Sequence, residues 1–118
     1  MQFEIRFYKD EKGTSPVEEF LLGLVAVNKA LFNKASKGIE KLRYRVYHKE
    51  PLSKHLESGL WELRVKAGTD ILRILYTFQK GQVIILLRVF IKKQQKTPRG
   101  ELEMARKRLR EIKLKEAN

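Results

Sequence analysis

Three strand-like runs between residues 60 and 91 constrain this chain more than any other feature. Leu60 to Lys66 alternates, with Trp61, Leu63 and Val65 on one face and Glu62, Arg64 and Lys66 on the other. That pattern belongs to a sheet with one covered face and one wet face. Ala67-Gly68-Thr69-Asp70 reads as a turn, Ile71 to Phe78 as a second strand, and Gln79 to Gln82 with Gly81 as a tight hairpin. Val83 to Ile91 is apolar throughout except for Arg88, as expected of a central strand. Each run carries or ends in fixed cations. A basic sheet of this kind is a surface suited to a polyanion.

The segments around this meander predict helices and one more strand. Phe3-Glu4-Ile5-Arg6-Phe7-Tyr8 alternates with period two and reads as the first strand. Ser15-Pro16-Val17-Glu18 is a helix start, with Ser15 as N-cap, Pro16 at the first helical position and Glu18 completing a capping box. Val17, Phe20, Leu21 and Leu24 share one face of that short helix, and Gly23 falls near its end. A second amphipathic helix is expected from Val27 to Val46, with Val27, Leu31, Ala35, Ile39, Leu42 and Val46 inward and Lys34, Lys37, Lys41, Arg43 and Arg45 outward. Pro51 to Ser58 reads as a connecting loop. Thr97-Pro98 supplies a last N-cap and first-turn proline, followed by Leu102, Ala105, Leu109 and Ile112 at helical spacing. The expected order is β-α-α-β-β-β-α in one α+β domain spanning residues 1–118, with the helical hairpin on one face of a twisted antiparallel sheet.

Charge narrows the partner. The chain has 26 Lys and Arg against 14 Asp and Glu, a net +12, and that excess favours polyanions through counterion release and steering. It is uneven: residues 1–28 carry −2, residues 29–55 carry +6, residues 56–91 carry +2, and residues 92–118 carry +6. The basic helices lack bulky aromatic faces, so nucleic acid is favoured over a membrane surface. No apolar run approaches the ~20 residues needed to cross a bilayer, and the N-terminus lacks the basic-then-apolar layout expected of a signal peptide. With no cysteine there is no disulfide framework, thiolate metal site or cysteine nucleophile. A cytoplasmic protein is the expectation.

Conventional catalytic motifs are missing. There is no G-x-S-x-G elbow and no phosphate-binding glycine loop, and His48 and His55 lack metal-ligand spacing. Neither a metal nor another cofactor is implied. One reaction class needs none of these. RNA carries its own nucleophile, the 2′-hydroxyl, so cleavage requires orientation, proton transfer and charge stabilisation. A cation cluster can stabilise the phosphorane-like transition state, and mutual repulsion can lower a lysine into the range of a general acid or base. Arg64, Arg73, Lys92 and Lys93 can converge because adjacent antiparallel strands bring their ends together, with Lys54 joining from the preceding loop.

Leu60-Trp61-Glu62-Leu63-Arg64, Arg73-Ile74-Leu75-Tyr76, Phe90-Ile91-Lys92-Lys93 and Lys96-Thr97-Pro98 together resemble the HigB-type toxins. These are a branch of the RelE superfamily of type II toxin–antitoxin modules, and the likeness is to a phage-derived HigB-like subgroup. By motif it covers residues 54–108. The resemblance implies a metal-independent mRNA endoribonuclease, a hydrolase acting in the ribosomal A site and neutralised by a helix-turn-helix antitoxin of the HigA kind. It also implies that Arg64 and Arg73 bind phosphate, that Lys92 and Lys93 belong to the active site, and that Lys54 or His55 moves protons. Some HigB proteins carry an acidic–aromatic–histidine group near the C-terminus, whereas this chain has no histidine beyond His55. The general base is thus left open. Two rivals stand beside this reading: a non-catalytic RNA- or ribosome-binding module, and a gyrase-directed toxin of the ParE branch.

The same residues have plainer readings. Arg64 alone on a wet face is a solvated charge, and it becomes a phosphate ligand only in a cluster. Tyr76 shares a face with Leu72, Ile74 and Phe78 and reads as core, as does Trp61. Lys92 and Lys93 alternate sides if extended, so one of them points into the site. Arg88 either serves the site or pairs with Glu62. Lys66, Arg88, Lys96 and Arg99 are the expected RNA-binding cations around the centre.

Overall fold

The computed structural model describes residues 2–92 and 96–117. In chain order it contains β1 (Glu4–Phe7), α1 (Pro16–Val27), α2 (Lys29–Lys41), a 3₁₀ turn (Arg45–Tyr47), β2 (Ser53–Glu57), β3 (Leu60–Ala67), β4 (Asp70–Gln79), β5 (Val83–Lys92) and α3 (Arg99–Ala117). The sheet order is β1-β5-β4-β3-β2. Strands β2 to β5 form an antiparallel meander, while β1 runs parallel to β5, with Glu4 opposite Val83 and Phe7 opposite Leu86. The sheet is therefore mixed rather than wholly antiparallel.

Both faces of the sheet are used. α1 and α2 pack on one face, where Val17, Leu21, Leu24, Leu31 and Ala35 meet Leu63, Leu72, Ile74, Tyr76, Ile84 and Leu86. α3 covers part of the other, placing Ala105 and Leu109 against Leu60, Leu75, Ile85, Leu87 and Phe90. β5 is thus enclosed on both sides, which explains its unbroken apolar run. A register shift beside Leu75 and Tyr76 breaks the β5 alternation at Leu87 and Arg88. Leu87 packs among the α3 residues, its carbonyl accepts from Arg108 Nη1 at 2.6 Å, and Arg88 reaches Glu101 of α3.

Several boundaries differ from expectation. Residues 53–57, read as loop, form the edge strand β2. The second helix starts two residues later and ends five earlier than its apolar spacing suggests. Asn28 caps it, accepting from Leu31 N–H at 3.1 Å. At the other end His48 Nε2 meets the Leu42 carbonyl at 2.7 Å, and the ring packs between Phe3 and Phe78. Val27 and Val46, expected inward, are therefore exposed. Gly38 permits the close approach of α2 to β3, since a Cβ there would lie 3.0 Å from Val65 Cγ2. Ser15 and Pro16 stand at the positions expected of them, but the Ser15 side chain makes no capping bond. Thr97 likewise does not cap α3: the Pro98 carbonyl accepts the first helical bond from Leu102 N–H. Its hydroxyl is used elsewhere.

Candidate active site

The β3–β4 ladder sets Arg64 directly across from Arg73, and the β4–β5 ladder sets Lys92 across from Ile71. β2 adds Lys54 opposite Glu62. Strand alternation sends these side chains to the face that α3 covers only in part. Two arginines directly opposed on a sheet repel one another. Glu62, two residues along β3 from Arg64, resolves the conflict. Its Oε1 accepts from Arg73 Nη1 at 2.5 Å and from Arg64 Nε at 3.1 Å. Its Oε2 accepts from Thr97 Oγ1 at 2.9 Å.

This arrangement is built, not merely charged. Glu62 is fully buried and Arg73 is 5% exposed, whereas Arg64 is half-buried with its Nη1 3.8 Å from Glu50. Burial pushes the Glu62 carboxyl up, but the bonds from Arg64 and Thr97 and the Arg73 guanidinium outweigh it, leaving the group below its usual range. Arg73 Nε is buried and has no hydrogen-bond partner among the described residues. A buried donor left so costs roughly 1–3 kcal/mol. The Lys92 amine is also depressed, first by burial and then by Arg73, with Arg64 and Lys54 adding to the effect against the opposing pull of Glu62.

In front of the pair lies a hollow of about 200 Å³ lined by Lys54, Glu57, Glu62, Arg64, Arg73, Lys96 and Thr97. Both carboxylates in that wall are already paired, Glu57 with Arg106 at 2.6 Å and Glu62 with the two arginines. A larger hollow of about 650 Å³ between β1 and α3 mixes both signs, with Arg6, Lys9 and Lys115 beside Glu18, Glu111 and Glu116. It gathers no comparable cationic focus. Among the described residues no group of three or more His, Asp or Glu is placed to hold a metal ion. Among them, too, no helix is long and apolar enough to cross a membrane.

The structure brings together Arg64, Arg73, Lys92 and Lys54 of the expected catalytic set, with Lys96 at the rim. Lys66 is exposed farther along the same face of β3. Lys93 lies outside the described residues. His55 is not brought in: it sits beside Trp61 with ring centroids 4.8 Å apart, on the hairpin side of the sheet, because it follows Lys54 by one residue in a strand. Arg88 pairs with Glu101 at 2.6 Å and not with Glu62. Arg99 is solvated on the first turn of α3, 3.0 Å from Glu103, and lines a neighbouring depression. Sequence reasoning missed Glu62 and Thr97. The signal available for Glu62 was an acid two residues from Arg64 on the same face of β3, in a chain segment otherwise rich in cations.

The β3–β5 ribbon, with helices on both faces, is consistent with a RelE-like fold. A comparison with curated proteins gives no match. The family described as Phage derived protein Gp49-like (DUF891) matches residues 19–110, which include every described residue of the cluster. The chain therefore belongs to the Gp49-like family of phage-derived, toxin-like proteins.

Proposed function

We propose that this protein is a ribosome-dependent mRNA endoribonuclease toxin of a type II toxin–antitoxin system, in the HigB-like branch of the RelE superfamily, acting in the cytoplasm. The observation that carries this reading is the convergence of Arg64 and Arg73 on one carboxylate beside Lys92, with a buried Arg73 N–H that has no partner among the described residues. Guanidiniums suit planar, bidentate recognition of phosphate.

In the proposed reaction the RNA 2′-oxygen attacks the adjacent phosphorus and the bond to the 5′-oxygen breaks. The products are a 2′,3′-cyclic phosphate, or its hydrolysed form, and a 5′-hydroxyl. One proton leaves the 2′-hydroxyl and one arrives at the 5′-oxygen. We assign these transfers to Lys92, whose lowered amine feels Arg73, Arg64 and Lys54, and to Lys54, exposed in the wall of the hollow. Arg64 and Arg73 stabilise the extra charge on the transferring phosphorus. Lys93 belongs to the same proposal by sequence alone. His55 faces away from the hollow, which favours a lysine over a histidine for the proton steps.

The partner proposed is a helix-turn-helix antitoxin of the HigA kind, with an acidic segment over the cations and the α1–α2 hairpin free to dock it. Phe20, Leu22 and Val25 are exposed apolar side chains on α1.

The test is induced expression of the wild-type chain and of Arg73→Ala, with mapping of new mRNA 5′ ends. Cuts inside translated frames that vanish in the variant support the reading. Growth arrest without such cuts favours a gyrase-directed toxin, and no toxicity at all favours a plain binding module.

A further inference from the structure

The proposed chemistry uses the cations of the hollow and leaves its most buried charged group without a role. Glu62 is fully enclosed, yet it is bonded by three side chains from three separate segments: Arg64 of β3 itself, Arg73 of β4, and Thr97 just before α3. A buried carboxylate costs heavily unless its lone pairs are filled, and here both oxygens are. The price is that each guanidinium spends a donor on the protein's own anion, so the group must serve the arrangement rather than the ligand.

We propose that Glu62 is the positioning residue of the hollow: through Oε1 it fixes the spacing and tilt of the Arg64–Arg73 pair for a phosphodiester, and through Oε2 it pins Thr97 so that Lys96 closes the rim. With Nη1 of Arg73 held at 2.5 Å, the guanidinium plane cannot rotate freely, and its Nε, without a partner among the described residues, keeps one orientation. Two mutually repelling cations stay side by side without substrate because the anion lies on the protein side of both. Thr97 and Lys96 are consecutive, so the bond to Thr97 also determines where the Lys96 backbone sits against the hollow. Glu62 would also act on Lys92. Among the described residues, the charged groups that act on that amine include Arg73 from β4, Arg64 and Glu62 from β3, and Lys54 from β2, and Glu62 is the anion of that set. Thr97 and Lys96 close the α3 side of the same hollow.

This inference rests on the ribonuclease reading for its activity arm, and a binding arm makes it independent. Glu62→Gln keeps the shape and removes the charge, while Glu62→Asp keeps the charge and withdraws it by one methylene. Two measurements are made on folded protein: cleavage of ribosome-bound mRNA from pH 6 to 10, and binding of a 2′-O-methyl oligoribonucleotide, which cannot be cut. Glu62→Asp should lose tenfold or more in oligonucleotide affinity. Glu62→Gln should bind at least as tightly as wild type, cut at least a hundredfold more slowly, and move the lysine-dependent limb of the pH profile to lower pH. A purely structural carboxylate would change stability and leave that limb in place. If wild type cuts and both variants cut and bind like it, the positioning role is wrong. If wild type does not cut at all, the nuclease reading falls, and the Glu62→Asp affinity alone decides: a tenfold loss upholds the positioning role and an unchanged value overturns it.

Discussion

Arg64 stands directly opposite Arg73 across the β3–β4 ladder, and both guanidiniums end on the same oxygen of Glu62. The pair is unequal. Arg73 is sealed in, with one N–H unsatisfied among the described residues, while Arg64 is half open to solvent and also leans toward Glu50. That inequality separates what each arginine contributes to folding from what it contributes to an anion in front of them.

Removing the inner arginine should damage both. Arg73→Ala takes the closest counter-charge from a buried carboxylate, a change that typically costs about 3–5 kcal/mol. Arg64→Ala should cost about 1 kcal/mol or less, because the pair it breaks is partly solvated. Urea denaturation of the two variants should show that order, while both lose cleavage of ribosome-bound mRNA. Equal stability losses would contradict the asymmetry.

The depressed Glu62 carboxyl makes part of the stability pH-dependent. A group whose folded pKa lies below its unfolded value contributes stability that is present above the unfolded value, about 4.3 for Glu, and lost as pH falls through the folded one. Glu4 and Glu57 are lowered as well, so the difference between wild type and Glu62→Gln is the clean quantity. Wild type should lose stability relative to the variant between pH 5 and the acid limit of denaturation measurements. A constant difference across that range would be the contrary result.

Lys92 should show the opposite bargain. Its amine is lowered mainly by burial and by Arg73, so the charged form is disfavoured on folding below the folded pKa, and the penalty fades as pH rises toward the unfolded value of about 10.4. Lys92→Met should therefore raise stability at neutral pH while abolishing cleavage. Thermal denaturation beside a cleavage assay reads both. A destabilised variant would mean that the ammonium is held by stronger partners than the arginines oppose.

Packing of the helical hairpin should be separable from the chemistry. Gly38→Ala places a methyl 3.0 Å from Val65 Cγ2, so overpacking of about 1–3 kcal/mol competes with a gain of about 1 kcal/mol in helix propensity. The expected result is a net loss of stability with cleavage per folded molecule unchanged, because Val65 points away from the hollow. Loss of activity at unchanged stability would tie α2 to the site.

In binding, the rim lysines should act through their charge. Lys54→Ala and Lys96→Ala should each weaken binding to single-stranded RNA and reduce the slope of log affinity against log salt by about 0.7. Titrations at several salt concentrations would show an unchanged slope if these ammoniums do not meet phosphates.

How far the sequence foretold this structure depends on whether a residue's surroundings are local. Trp61, Leu63 and Val65 against Glu62, Arg64 and Lys66 displayed the two faces of β3 because alternation is a property of one strand. β5 announced its central place by being apolar on both sides. β2 stayed hidden, since Ser53-Lys54-His55-Leu56-Glu57 carries no apolar alternation and is a strand only because β3 pairs with it. The end of α2 was misread for a related reason. Ile39, Leu42 and Val46 continue a helical spacing with no glycine or proline to stop it, and the stop comes from the His48 side chain reaching the Leu42 carbonyl. Glu62 looked solvated because its burial depends on Arg73 from another strand and on Thr97, which is 35 residues away.

The parallel pairing of β1 with β5 has a consequence for how the molecule comes into being. A chain made from its N-terminus leaves Glu4–Phe7 without a hydrogen-bonding neighbour until residues 83–86 have been added. The bond that ties Thr97 to Glu62 needs a further stretch still. Contacts of such long sequence separation form late and slowly. The cationic hollow is thus among the last parts of the molecule to exist, and a nascent fragment ending anywhere before that point carries its arginines without the frame that aligns them.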